Sequence, residues 1–259
     1  MLMDTHAHLT DPRFAGDLDE VLARAWAAGV GIILDVGDSA ASSAAAVERS
    51  RGDRRVFAAV GVHPNRASDA SPEDLDRIGA LALDPGVAAL GETGLDFHRR
   101  HAPREAQERI LRLTLALAVS TGLPVVLHCR DAYAALIGTL GEPRHAGVRG
   151  VVHCFSGSAD DAAALLGMGF LLSVGGPITY PGNARLREIA RSAPLDRLLI
   201  ETDCPWLPPE GERGRRNEPA LVARVAEALA RLRGASPGEI AQATTENALR
   251  LFTRMAARV

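Results

Sequence analysis

The sequence predicts a (β/α)8 barrel, and three observations carry that expectation. Eight short runs of apolar and β-branched residues alternate with longer amphipathic ones. The length of 259 residues suits one closed α/β barrel with a large core. The polar residues in those runs fall near their C-terminal ends, where barrels of this class carry their chemistry. One domain spanning 1–259 is expected. The rival, an open doubly wound sheet, finds no GxGxxG after the first run and no sign of an antiparallel edge.

The first run is "MDTHAHLTD" at 3–11, whose period of two puts His6 and His8 on the same side of a strand. Strands two to four are read from "GVGIILDVG" at 29–37, "RVFAAVGVHP" at 55–64 and "GVAALGETGLD" at 86–96. Strands five to eight follow in "LPVVLHCRD" from Leu123, "RGVVHCFSG" from Arg149, "GFLLSVGG" from Gly169 and "RLLIETDCP" from Arg197. Helices are expected over 17–28, 72–83, 103–121, 159–167, 183–192 and 218–232, with an extra C-terminal helix over 236–254. The start at Ser71-Pro72-Glu73-Asp74 combines a serine cap, a proline at the first helical position and acids in the first turn. The segment "PWLPPEGERGRRNEP" at 205–219 reads as a long ordered loop.

Composition excludes several function classes. An apolar fraction of 47% and a charged fraction of 24% rule out a disordered or fibrous chain. A net charge of -3 gives no global attraction to nucleic acid, so a polyanion would have to be held by a local patch or a metal. The N-terminus lacks a signal-peptide pattern and no apolar stretch could span a bilayer, so a cytoplasmic location without membrane partners is expected. Oligomeric state is not set by the sequence; a monomer is compatible with it. The three cysteines, Cys129, Cys154 and Cys204, form no CxxC pair, which argues against thiolate zinc or a disulfide framework. Each follows a strand-end histidine or acid, and alternation turns them toward packed surroundings as structural residues. All 29 basic residues are arginine, which excludes a Schiff-base lysine, a P-loop lysine and a carbamylated lysine bridging two metals.

The strand ends supply the candidate site. Five of the eight histidines, His6, His8, His63, His128 and His153, stand there, with Glu92, Glu201 and Asp203. Imidazoles converging on one mouth repel when protonated, and a divalent ion resolves that repulsion. The apolar run before Asp203 demands a partner for its charge. Glu92 lies between Gly91 and Gly94, where the backbone can approach its neighbour closely. Histidines and carboxylates in this number exceed one tetrahedral ion and suit two. His6, His8 and Asp203 are assigned to one ion and His128 and His153 to the other. Glu92 is the bridge that no lysine can supply. Mg, Mn, Zn and Ni all remain open as the metal.

As a set, "DTHAHL", "GVHP", "GETGLDF", "LHCRDA", "HCFSG", "ETDCPWLPP", "RGRRNEP" and "TTENALRLF" resemble the TatD family of metal-dependent deoxyribonucleases, within the amidohydrolase-like barrels. The resemblance runs over nearly the whole chain. It implies a TIM barrel with a two-metal site at His6, His8, Glu92, His128, His153 and Asp203, and places His63 near substrate phosphate. Departures are mild: Thr93 stands where a more apolar residue is common, and "RGRRNEP" has arginine where lysine is frequent. The implied activity is 3′-to-5′ exonuclease action on single-stranded DNA, with RNA or tRNA as other partners. The alternative is an ester or amide hydrolase, such as an aminoacyl-tRNA deacylase, on the same metals.

For a phosphodiester substrate, Asp203 and Glu92 are the expected catalytic carboxylates, with His63 donating to the phosphate. Arg130, two residues past His128, would add positive charge. Arg213, Arg215 and Arg216 make the long loop locally basic and are expected to bind substrate. Trp206, Tyr180, Phe97 and Phe155 are the aromatics open to base stacking, too few for strong sequence reading.

Overall fold

The computed structural model describes residues 1–99 and 101–257, so positions 100, 258 and 259 of the expected domain lie outside the described residues. Among these, eight strands form one sheet in sequential order, each parallel to the next. They are β1 (Leu2–Ala7), β2 (Val30–Val36), β3 (Val56–Val60), β4 (Val87–Asp96), β5 (Val125–Arg130), β6 (Gly150–Val152), β7 (Leu171–Val174) and β8 (Leu198–Ile200). The intervening helices are α1 (Leu18–Ala27), α2 (Ala40–Gly52), α3 (Pro72–Leu81), α4 (Arg104–Thr121), α5 (Tyr133–Leu140), α6 (Ala159–Gly167) and α7 (Ala184–Ser192). Then come α8 (Val222–Arg233), α9 (Pro237–Leu251) and α10 (Thr253–Ala256). This is the expected (β/α)8 barrel, with extra C-terminal helices where one was expected, and the loop expected over 205–219 runs without helix or strand up to Pro219, which opens a short 3-10 turn. No described helix is long and apolar enough to cross a membrane.

Two helices, α2 and α5, were not in the sequence expectation, and the single C-terminal helix expected over 236–254 is broken at Phe252 into α9 and α10. The α2 segment, AASSAAAVERSRG, has little apolar stripe; its helix is set by alanine propensity and a capping box between Ser39 and Ser42. The α5 segment, YAALIGTL, is short and apolar nearly all round, so it shows no 3.6-residue contrast.

The barrel closes where β1 meets the segment just after β8, with Ala7 bridging Cys204. Polar side chains hold this seam. Thr202 donates to buried Asp4 from its backbone N–H (2.9 Å) and its hydroxyl (2.6 Å), and the Thr5 hydroxyl donates to the Ile200 carbonyl at 3.0 Å. Inside, Met3, Ile32, Leu34, Phe57, Val126 and Leu199 pack with Leu251, Phe252 and Met255 of the C-terminal helices. Those helices seal the N-terminal end: the Asn247 amide donates to the carbonyl of Leu198 at the start of β8, and Arg254 to that of Val87 at the start of β4. The opposite end is left open.

Candidate metal centre

Glu92 is the centre of the open end. It lies in β4, a strand buried along its whole length, and is itself 2% exposed. The flanking glycines are required there, since Gly91 and Gly94 have φ of 129° and 141°. A Cβ at Gly91 would stand 2.4 Å from the Val126 carbonyl oxygen, and one at Gly94 would stand 2.0 Å from that of His128. Bare backbone therefore lets β4 press against β5 and brings the Glu92 carboxylate among the histidines.

The two oxygens of Glu92 divide those histidines. Oε2 faces His6 Nε2 at 3.5 Å and His8 Nε2 at 3.6 Å, both of which also face Asp203 Oδ1, at 3.8 and 3.5 Å. Oε1 faces His128 Nδ1 at 2.9 Å, His153 Nε2 at 2.8 Å and His63 Nε2 at 3.4 Å. Asp203 is held by its backbone N–H, which donates to the His6 carbonyl at 2.9 Å, in a left-handed conformation with φ of 57°. Such a backbone state in a residue with a side chain is strained and recurs at functional sites. The six residues expected as a ligand set are thus brought together, with His63 at their edge.

The reverse side of each ring distinguishes the histidines. His8 Nδ1 donates to the Val36 carbonyl at 2.9 Å, so in the neutral ring the Nε2 lone pair points into the site. His128 and His153 turn their outer nitrogens to Asp96 and Glu201, each at 3.4 Å. His63 is arranged the other way: its Nδ1 accepts from the Asn65 backbone N–H at 3.0 Å, so the proton of the neutral ring sits on Nε2. His63 therefore presents a donor where neutral His8, His128 and His153 present lone pairs. Glu201 stands among the strand-end residues read from the sequence, whereas Asp96 was legible only weakly, four residues from Glu92 and hence nominally on the same side of the strand. The Asn65 contact is a backbone one and leaves no side-chain signal.

Electrostatics agree with a cation-binding arrangement. Burial alone would raise Glu92, but His153, His63 and His128 hold it well below the ordinary carboxylate range. Burial would likewise raise Asp203, and His8, His153 and His6 keep it low. Burial lowers His8, yet Asp203 and Glu92 raise it to about 9, whereas burial leads in bringing His63 down to about 4. Two ionised carboxylates thus draw positive charge into a buried mouth. Imidazole nitrogens meet there at 3.2 Å, His6 Nε2 with His8 Nε2 and His128 Nδ1 with His153 Nε2. Two lone pairs cannot face each other stably at that distance without a proton or a cation between them. His6 Nδ1 and Glu201 Oε2 are also buried without a hydrogen-bond partner. Three groupings have metal-ligand spacing: His6, His8 and Asp203; His63, Glu92 and His128; and His6, His153 and Glu201. The donor set fits divalent cations.

The site opens into a cleft of about 1480 Å³, whose wall includes Arg130, Arg185, Tyr180 and Trp206. The loop arginines are not part of that wall. Arg216 bonds Asp17 at 2.7 Å and Glu218 at 2.9 Å, Arg215 pairs with Glu212 at 3.1 Å, and Arg213 lies over the Tyr180 ring at 4.8 Å. Arg213, Arg215 and Arg216, expected to bind substrate, thus stand outside the cleft wall, engaged by nearby acids and a ring. Cys129 and Cys204 are buried as expected, but Cys154 is only half-buried, and Cys129 and Cys154 both border the cleft. Burial raises all three thiols far from the thiolate range.

Comparison with known proteins places this geometry among relatives. The family model described as TatD related DNase matches residues 3–253. The chain is 43% identical over 252 residues to the uncharacterized metal-dependent hydrolase YabD of Bacillus subtilis, covering 97% of this chain and 99% of that one. It is 38% identical over 257 residues to the 3′-5′ ssDNA/RNA exonuclease TatD of Erwinia tasmaniensis, covering 97% and 99%. The crystal structure of YJJV, a TatD homologue from Escherichia coli, superposes with a TM-score of 0.92 at 36% identity, covering 97% of this chain and 98% of that one.

Proposed function

The chain belongs to the TatD family of metal-dependent hydrolases, and on that premise we propose that it is a single-domain cytoplasmic nuclease that removes nucleotides from the 3′ end of single-stranded DNA, and of RNA, with two divalent ions. The observation that carries this reading is the division of the histidines between the two oxygens of Glu92. His6, His8 and Asp203 would hold one ion, His128 and His153 the other, and Glu92 both. When bound, divalent ions there supply Lewis acidity toward a phosphate and acidify a water.

The remaining work falls to side chains. Asp203 lines the cleft and, with an oxygen left free beside the ion it would hold, accepts the proton of the attacking water. His63 is neutral at pH 7 with its proton on Nε2, and donates to a nonbridging phosphate oxygen. Arg130, in the cleft wall beyond His128, offsets charge that builds on the phosphate. Asp96 and Glu201 orient the rings of His128 and His153. The named activity of the Erwinia relative supports the substrate class and polarity.

The test is a time course of metal-stripped protein on 5′-labelled single-stranded DNA and RNA, with magnesium, manganese, zinc or nickel restored in turn. A ladder that descends only with metal is expected. Intact oligonucleotide under every metal, with hydrolysis of an aminoacyl ester by the same samples, would replace this reading with that of an ester hydrolase.

A further inference from the structure

The cleft is unequal on its two flanks. Beyond β2 and β3, Arg66 is matched by Asp38, its Nε donating at 2.9 Å. Beyond β6 and β7, Arg185 donates to the Ser156 carbonyl at 3.1 Å and, among the described residues, meets no carboxylate on the cleft wall.

Of the four aromatics read from the sequence, two cannot stack a base. Phe155 is 1% exposed, and Phe97 lies outside the cleft wall with Arg104 over its ring at 4.1 Å. Trp206 differs: it is 51% exposed at the cleft lip, and its backbone N–H donates to the carbonyl of Asp203 at 2.9 Å. The Arg13 guanidinium lies 3.5 Å from the indole centroid. Asp11 in turn holds Arg13 by a pair of bonds, Nε to Oδ1 and Nη2 to Oδ2, each 2.9 Å. One face of the indole is thus covered by a planar cation that Asp11 holds, and about half of the residue stays exposed to water.

An exposed indole forgoes the stabilisation of burying its large apolar area, and the stacked cation fixes a ring that would otherwise sample several rotamers. A flat ring held rigid beside Asp203 matches a flat, π-faced ligand, and Arg185 on the same side matches an anionic chain. We propose that Trp206, braced by Arg13 and Asp11, is the stacking platform for the nucleobase next to the scissile phosphate. This rests on the nuclease reading above. Stacking is sequence-tolerant because every base has a π-face, so the platform admits any terminal nucleotide.

The experiment measures binding without catalysis: fluorescence anisotropy of labelled oligonucleotides on metal-free protein, with a single abasic residue moved inward from the 3′ end. Wild type is expected to lose about tenfold in affinity at one abasic position. Trp206→Ala is expected to lose a similar factor on intact DNA and nothing further at that position, while Trp206→Phe keeps most of the affinity. With metal restored, the Ala variant raises KM more than it lowers kcat. A Trp206→Ala protein with wild-type affinity and the wild-type abasic profile would overturn the platform alone. Wild type that neither binds nor degrades any oligonucleotide would overturn it together with the nuclease reading.

Discussion

The two ends of the barrel are built from the same eight strands and treat charge in opposite ways. At the N-terminal end the interior is apolar and closed, with Phe252 and Met255 fully buried against Phe57 and Val126. At the C-terminal end Glu92, His6, His153 and Asp203 are buried nearly as deeply, yet they carry charge or lone pairs that the protein does not fully satisfy. The first end lowers free energy by removing apolar area from water; the second forgoes that gain to hold a cation. The contrast shows that burial alone says little about role. Which atoms a buried residue leaves unmatched says more.

Breaking the open end should destroy activity and spare the fold. Glu92→Gln keeps the volume and removes the charge shared by the two histidine groups, so kcat/KM is expected to fall by ~10³-fold or more while the melting temperature of the metal-free protein changes little. Steady-state rates beside a thermal melt check both halves. The reverse is expected at the closed end. Phe252→Ala opens a cavity and should cost about 3–5 kcal/mol in denaturant unfolding, with kcat per folded molecule close to wild type below the transition.

A smaller effect sharpens the boundary between the ends. Glu201 touches no proposed substrate position but faces His153 Nδ1 at 3.4 Å. Glu201→Gln should weaken metal affinity by ~10–100-fold, read by calorimetric titration, and excess metal should restore much of kcat. If excess metal restored nothing, Glu201 would have a role beyond orienting the ring.

The smallest effect concerns charge that is paired at the rim. Glu218 is held below the ordinary carboxylate range first by its hydrogen bond with Arg24, then with Arg216. Because its folded pKa is depressed, the stability it contributes is present above the unfolded value near 4.5 and is lost as pH falls through the folded value. Glu218→Gln should therefore cost at most about 1 kcal/mol at pH 7, and the deficit should vanish in strong acid. Unfolding curves across pH 3 to 7 measure it.

These same regions show how far the sequence could be read. The barrel was legible because its strands are nearly continuous apolar runs, as parallel strands covered on both faces must be. His6, His8, His128 and His153 were legible because each ends such a run, where only a polar role explains a polar residue. The helix α2 was not, since alanine and serine give propensity without an apolar stripe. The partner of Arg216 was not legible, because charge counted along the chain ignores acids from elsewhere: Asp17, far away in sequence, takes it. The brace on Trp206 was invisible for the same reason, with Arg13 lying almost 200 positions from the ring that it supports.

Whether Glu92 joins two cation sites is decided by anomalous diffraction from crystals grown with manganese. Two peaks are predicted, one among His6, His8 and Asp203 and one among His128 and His153, each reached by a different oxygen of Glu92. A single peak at full occupancy, or a peak bound through His63 in place of His128, would contradict that junction.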